Sequence, residues 1–171
     1  MSLRIALVVA VCGVLAVLES VIPFLFHLRS ARADLLLSVV LYLALHDDVM
    51  EGAALSAVAG YLSDLTSATP AFLYTFLAVL TFVVVRTAGS ALRTEGGAQS
   101  AAVAFGASLI HSLVASLLFG FVVGVGFHLE IGTLLWSAFG TALAAPFVFA
   151  ILGRLDAGFM KSEGPAPARI R

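Results

Sequence analysis

The sequence predicts an all-α integral membrane protein that crosses the bilayer several times. Of its 171 residues, 61% are hydrophobic and only 11% are charged, whereas soluble domains carry about 25% charged residues. The mean hydropathy is +1.12. The apolar residues fall into successive segments that short polar stretches separate, and a helix crosses the hydrocarbon with roughly 20 apolar residues. We therefore predict six transmembrane helices and no separate soluble domain.

The first segment runs from Ile5 to Phe26 and contains Glu19. Its apolar run continues to about Leu28, which is longer than the apolar part of a signal peptide, roughly 7–15 residues. We interpret it as a retained first span, with a cleaved signal peptide as the alternative. Glu19 either pairs or snorkels within the bundle or has a functional role, because an acid inside a membrane is costly.

The second and third segments, Asp34–His46 and Val49–Leu65, are short. At 1.5 Å per residue the second reaches only roughly 20 Å, so it crosses only with little tilt or in a thinned bilayer. A re-entrant hairpin made of both segments is the alternative. Asp48 followed by Glu51 predicts a capping box at the start of the third segment.

The last three segments are of ordinary or greater length: Ala71–Arg86, Ala98–Phe127 and Ile131–Leu155. Thr69 and Pro70 predict an N-cap and a first helical position for the fourth segment. The transmembrane domain accordingly covers residues 1–155. The remaining tail, 156–171, contains Gly164-Pro165-Ala166-Pro167 and is predicted to be disordered and cytoplasmic.

The basic residues predict the orientation. With six spans, the side that holds the termini carries Arg4, Arg86, Arg93, Arg154, Lys161, Arg169 and Arg171, and the other side carries only Arg29 and Arg32. The positive-inside rule then places both termini in the cytoplasm. On that side an acidic turn, Asp47-Asp48 with Glu51, and the basic loop around Arg86 and Arg93 are either solvated loops or a docking surface for a cytoplasmic partner.

A row of small residues marks one face of the third segment. Gly52, Ser56, Gly60 and Asp64 are four apart, so they lie on one face of a helix. Small residues let another helix approach closely, which predicts a surface for helix packing or a partner. Asp64 closes the row at the end of its helix, where the helix dipole does not stabilise a carboxylate. We expect it to pair with Arg29 or Arg32, the basic residues predicted on its side of the membrane.

Hydroxyl residues recur every four positions on the last two segments: Ser108, Ser112 and Ser116 beside His111, and Thr133, Ser137 and Thr141. Such faces pack helix on helix. The alternative is a polar cavity for a solute, lined by Ser108, His111, Ser112, Ser116, Ser137 and Thr141. A metal site is not expected, because no second histidine or carboxylate lies at ligand spacing on the fifth segment.

The chain lacks the short motifs of catalysis. It contains no nucleophile elbow, Gly-rich phosphate loop, HExxH sequence or cysteine cluster. The formal net charge of −1 gives no indication of nucleic-acid binding. These observations favour a scaffold or a binding subunit without a cofactor over an enzyme.

Two stretches carry a family resemblance. Residues 33–45 read ADLLLSVVLYLAL, and Glu51-Gly52 and the sequence GYLSDL at 60–65 follow. This pattern resembles the rod shape-determining protein MreD family, most closely over about Ala33–Leu80. Ala33 stands where the family usually has proline, and Ser56 stands where a further glycine is common.

The resemblance implies a non-catalytic inner-membrane scaffold of the bacterial cell-elongation complex, which supports cell shape and peptidoglycan synthesis. It implies that the protein partners are MreC, MreB, RodA and a class B penicillin-binding transpeptidase. Membrane lipid is a further implied partner. It also implies a fold similar to the six-helix substrate-binding subunits of energy-coupling-factor transporters. That similarity defines the alternative function, a small-solute (vitamin-type) binding subunit of a transporter, although the short outer loops near Ser67 and His128 do not favour it.

Overall fold

In the computed structural model, residues 2–25, 34–67, 70, 72–89, 96–124 and 131–162 are described. These residues form six helices: α1 (Ser2–Leu25), α2 (Leu35–His46), α3 (Val49–Thr66), α4 (Leu73–Ala88), α5 (Gly97–Val123) and α6 (Ile131–Ser162). The predicted all-α class is confirmed, and each helix corresponds to one of the predicted segments.

Helix α2 lies at the centre of the bundle. Every residue from Leu36 to Ala44 is buried, and α2 contacts all five other helices. A helix that is apolar on all sides is a buried helix, so the central position explains why α2 has no polar face. It also explains how a helix of 12 residues, about 18 Å long, is accommodated, because its middle is surrounded by neighbouring helices and not by lipid.

The long helices on the outside have the composition of membrane spans. Three ranges are long and apolar enough to cross a bilayer, namely Leu3–Val21, Gly97–Val122 and Ile131–Gly158, while α2 and α4 are apolar but shorter. Large apolar side chains point away from the bundle, for example Val14 on α1 and Phe139, Leu143 and Phe147 on α6. A helix that exposes such residues along its length fits a lipid environment.

Side-chain contacts define the two ends of the bundle. Arg4, near the start of α1, bonds to Asp47 between α2 and α3 and to Asp156 on the last part of α6. Arg86, in the last turn of α4, donates to the carbonyl oxygen of Asp47. We call this the terminal end. The opposite end holds the C-terminal parts of α1, α3 and α5 and the starts of α2, α4 and α6.

Two predicted boundaries were wrong because contacts distant in sequence determine them. Helix α4 begins at Leu73, after Phe72 in a left-handed conformation with φ 67°, and not at Pro70; Thr69, its predicted N-cap, lies outside the described residues. The Asp64 carboxylate binds the first free amides of α4 and so determines where the helix starts. Helix α6 continues to Ser162, beyond the predicted limit at 155. Arg4 and Tyr42 hold Asp156 there, and residues 163–171 lie outside the described part.

Two local predictions also differ from the structure. Helix α5 ends at Val123 and not at Phe127, because Gly124 adopts a left-handed conformation with φ 69°, the usual way to end a helix. Asp48 is the N-cap residue of α3, but its side chain makes no capping bond. Glu51 binds Arg4 instead of closing a capping box.

Candidate functional site

A polar cavity of about 390 Å³ lies between the helices at the end opposite the terminal end. Five helices and the start of α2 line it, with Glu19 from α1, Asp34 before α2, Ser63 from α3, Tyr74 from α4 and Ser137 from α6 among the lining residues. Helix α5 contributes a whole face, which consists of His111, Ser112, Ala115, Ser116 and Phe119. The volume is that of a site for a small ligand, roughly 300–1,000 Å³.

His111 forms the inner wall of this cavity. Its side chain is only 6% exposed, its Nδ1 is 3.1 Å from the Thr81 hydroxyl, and its ring stacks on Tyr74 with centroids 6.2 Å apart. Its Nε2 is buried without a hydrogen-bond partner and lies 3.8 Å from Asp34 Oδ2, beyond hydrogen-bonding distance. A buried polar atom in this state indicates a position that a ligand or water can satisfy.

The six residues predicted to line a polar cavity divide into two groups. His111, Ser112, Ser116 and Ser137 line the cavity. Ser108 and Thr141 lie deeper, fully buried where α5 meets α6. There the Ser108 hydroxyl is 3.5 Å from Thr141 Oγ1, which accepts the backbone N–H of Asp34 at 2.9 Å. Both sequence interpretations, a packing face and a cavity, therefore describe part of these two helices.

Asp64 caps a neighbouring helix. One carboxylate oxygen accepts the backbone N–H of Tyr74 at 2.9 Å, and the other accepts the N–H and the hydroxyl of Thr75 at 3.0 and 2.7 Å. The carboxylate thus lies at the positive end of the α4 dipole, which stabilises its charge. The expected partners Arg29 and Arg32 lie outside the described residues, so that pairing stays a prediction.

The rest of the small-residue row packs against α4 of the same chain. A Cβ atom added at Gly60 would lie 2.6 Å from Thr75 Cα and from the Tyr74 carbonyl oxygen. At Gly52 it would lie 2.6 Å from the ring of Phe82. Ser56, between them, is fully buried. The row therefore forms an internal helix contact, and Asp64 extends that contact with hydrogen bonds.

Arg4 joins three elements at the terminal end. Its guanidinium donates to Asp47 at 2.5 Å, to Glu51 at 2.8 Å and to Asp156 at 2.8 Å. The Tyr42 hydroxyl donates to the second oxygen of Asp156 at 2.7 Å. These charge-assisted bonds connect the start of α1 with α3 and α6, and such bonds are stronger than those between neutral groups.

Most charged side chains of the acidic turn bind other groups of the same chain. Burial raises the pKa of the Asp47 carboxyl above its usual value, while the bond from Arg4 acts in the opposite direction. Arg86 donates to the carbonyl oxygens of Ala44 and Asp47. Asp48 is exposed, and Arg93 lies outside the described residues. Of the proposed docking surface, Asp47, Glu51 and Arg86 thus have partners inside the bundle.

Sequence reasoning missed three functions of side chains: the capping of α4 by Asp64, the network around Arg4, and the contribution of Asp34 to the cavity. The network around Arg4 could have been predicted from the sequence. The six-span topology already places Arg4, Asp47, Glu51 and Asp156 at one end. Within the described ranges, no group of three or more His, Cys, Asp or Glu side chains is placed to hold a metal ion.

The fold and these polar sites define a helical membrane protein with several apolar spans, buried polar networks at both ends and a cavity between its helices. A comparison with family models matched residues 1–155 to MreD, the rod shape-determining protein. The chain therefore belongs to the MreD family, which determines rod shape and is not known for enzymatic activity. The searches of curated proteins and of solved structures found no match.

Proposed function

We propose that this protein is a non-catalytic scaffold subunit of the cell-elongation complex in the bacterial inner membrane, where it supports peptidoglycan synthesis. The observation that carries the proposal is the family match over residues 1–155. The described polar contacts agree with a structural role, because Arg4, Asp64 and the small-residue row all connect helices of this chain. The partners proposed from the family are MreC, MreB, RodA and a class B penicillin-binding transpeptidase.

In this proposal the terminal end faces the cytoplasm and all six helices cross the membrane. Arg4, Arg86 and Arg154 support this orientation, because contacts place Arg4 and Arg86 at the terminal end and Arg154 lies two residues before Asp156. The two ends of α2 support a crossing helix more than a re-entrant one, because Asp34 before its start lines the cavity at one end of the bundle and Asp47 after its last turn binds Arg4 at the other. The cavity then opens towards the outer side.

The second candidate is the small-solute binding subunit, and the polar cavity of about 390 Å³ is the observation that favours it. The expected similarity to energy-coupling-factor subunits has no support from solved structures, because none matched. The scaffold therefore remains the first proposal.

Depletion of the protein in its own host tests the choice. A scaffold of the elongation complex predicts that rod cells widen and become round, and that a wild-type copy restores their length-to-width ratio. Cells that keep their shape while losing uptake of a solute contradict the scaffold and support the transporter subunit.

A further inference from the structure

The unpartnered Nε2 of His111 faces the carboxylate of Asp34 across a gap in the polar cavity. The side chain of His111 is 6% exposed, and its Nε2 is buried without a hydrogen-bond partner. Asp34 Oδ1 accepts the backbone N–H of Leu37 at 2.7 Å, and Asp34 Oδ2 lies 3.8 Å from His111 Nε2. This distance is too long for a direct hydrogen bond, so one further atom can lie between the two groups and bind both.

The hydrogen bond between Thr81 and His111 determines which kind of atom fits this gap. Within the described residues, the Thr81 hydroxyl makes its hydrogen bond to His111 Nδ1, 3.1 Å away, so we assign the hydroxyl hydrogen to that bond. The ring hydrogen of the neutral imidazole is then on Nε2, which is a donor, whereas Asp34 Oδ2 is an acceptor. The atom between them has to accept one hydrogen bond and donate another, and a hydroxyl group does both.

Serine side chains extend this match to further hydroxyl groups. Four serines line the same cavity, namely Ser63, Ser112, Ser116 and Ser137, and a serine hydroxyl can both donate and accept. The cavity volume of about 390 Å³ is far larger than that of one water molecule, about 30 Å³. A ligand group with hydroxyls, such as a glycerol or a sugar, therefore fits the described part of this wall.

An apolar cleft continues from the cavity towards the middle of the bundle. The cleft has a volume of about 130 Å³ and lies between α4 and α5, and His111 lines it as well as the polar cavity. On α4 the cavity is lined at Tyr74, near the start of the helix, and the cleft one to three turns further along, from Leu77 to Val85. Leu80 and Ile110 of the cleft are exposed on the outside of the bundle, where the surroundings are lipid. A polar group near the end of the bundle and an apolar chain towards its middle are arranged as in a lipid of the bilayer.

We propose that this protein binds a membrane lipid whose headgroup carries a hydroxyl. The headgroup hydroxyl lies between His111 Nε2 and Asp34 Oδ2, and an acyl chain lies in the cleft between α4 and α5. Two observations support this site together: a buried ring nitrogen without a partner opposite a carboxylate, and an apolar cleft that begins at the same histidine. The inference goes beyond the scaffold role and does not depend on it, because it concerns a ligand of this chain alone.

The test uses the full chain purified in an amine-oxide detergent, because maltoside detergents carry hydroxyl groups of their own. The protein is incubated with an equimolar mixture of a diacylglycerol and its 3-O-methyl ether, two uncharged lipids with identical acyl chains. Native mass spectrometry measures the ratio in which the protein retains them. The ether oxygen can accept a hydrogen bond from Nε2 but has no hydrogen for Asp34, so we expect the diacylglycerol to be retained about tenfold over the ether.

One variant tests the position of the headgroup. Asp34→Asn keeps the oxygen that caps α2, since asparagine is also a favourable N-cap residue, and replaces the oxygen that faces His111 with an amide NH₂. The amide donates to a hydroxyl and to an ether oxygen alike. We therefore expect the ratio of the two retained lipids to fall close to one in this variant.

A second variant and its control test the cleft. Val114 lines the cleft, so Val114→Phe fills part of it and is expected to lower the retention of both lipids about tenfold. Leu117→Phe enlarges an exposed side chain of the same helix that is not among the described lining residues of the cavity or the cleft, and it should leave retention unchanged. Circular dichroism and gel filtration verify that each variant folds.

Preference for the diacylglycerol in the wild-type protein, together with its loss in Asp34→Asn, supports the site. Equal retention of both lipids, or retention of neither, overturns the proposal, and this comparison requires no variant. An unchanged ratio in folded Asp34→Asn overturns the position of the headgroup, and unchanged retention in folded Val114→Phe overturns the cleft. Displacement of the retained lipid by excess free glycerol assigns the site to a soluble polyol and overturns the lipid.

Discussion

Among single residues, the acids Asp64 and Asp156 connect helices of this bundle through their side chains. Asp64 sits at the end of α3, yet its three bonds go to the start of α4. Asp156 on α6 is held by Arg4 and Tyr42. A polar group without a partner in an apolar environment raises the free energy of the folded state. Arrangements of the helices that leave these acids unpaired are therefore disfavoured.

Replacing Asp64 with asparagine tests the cap. The amide NH₂ cannot accept a hydrogen bond, so Asp64→Asn leaves at least one donor of α4 without an acceptor. We expect the free energy of unfolding, measured by SDS titration in mixed micelles, to fall by about 1–3 kcal/mol. The control Asp48→Asn, an exposed N-cap without a capping bond, should change it by less than about 0.5 kcal/mol. Equal stability of the two variants contradicts the capping role.

The same variant tests the predicted pair with Arg29 or Arg32. In a double-mutant cycle, a coupling between Asp64→Asn and an arginine substitution supports the pair. Simple addition of the two effects means that the capping bonds alone satisfy Asp64.

Arg4 is the central residue of the other end. Arg4→Met keeps most of the apolar length of the side chain but removes the guanidinium. Three carboxylates then lie close together without a cation. Breaking a fully buried pair from one side costs about 3–5 kcal/mol, and the 22% exposure of Arg4 reduces this to about 2–3 kcal/mol. Thermal unfolding in detergent is the measurement, with the exposed Arg154→Met as control. A melting temperature equal in both variants excludes a stabilising role for the network.

At the scale of helices, the contact between α3 and α4 depends on Gly60. A methyl group there meets backbone atoms that cannot rotate away, so Gly60→Ala should lower the free energy of unfolding by about 1–3 kcal/mol. Gly52→Ala meets the far end of the Phe82 ring and, at 3.3 Å, Asp47 Cβ, which are side-chain atoms and not backbone, and should cost less. Gly106→Ala, with no atom within 4 Å, should be neutral or stabilising by up to about 1 kcal/mol. SDS titration of all three variants gives the order, and any other order contradicts this packing.

For the molecule as a whole, the composition and the long apolar segments predicted the helical class and the order of the helices, because a long apolar segment can satisfy its own backbone hydrogen bonds as a helix. The exact ends were not predictable, since Asp64 and Asp156 determine them through residues distant in sequence. The spacing of the polar residues on α5 and α6 predicted a packing face or a cavity, and these residues divide between a helix contact and the cavity wall. The opposite wall of the cavity, with Glu19, Asp34 and Tyr74, required knowledge of how the helices pack.

The orientation of the whole bundle in the membrane can be measured. The distribution of basic residues predicts that both termini are cytoplasmic, so reporter fusions at Ala166 and within the loop 88–97 should both report a cytoplasmic location. A fusion after Ser67 should report the outer side. A periplasmic signal from either of the first two sites contradicts the six-span topology.

The proposed scaffold role in the elongation complex requires a contact with MreC. The measurement is the amount of MreC that co-purifies with the tagged full chain from solubilised membranes of its own host, quantified by mass spectrometry. We expect MreC in near-equal amount with the wild-type protein and with the stable control Gly106→Ala, and less with Gly60→Ala. Membranes that contain MreC but yield none with the intact wild-type protein would exclude this scaffold role.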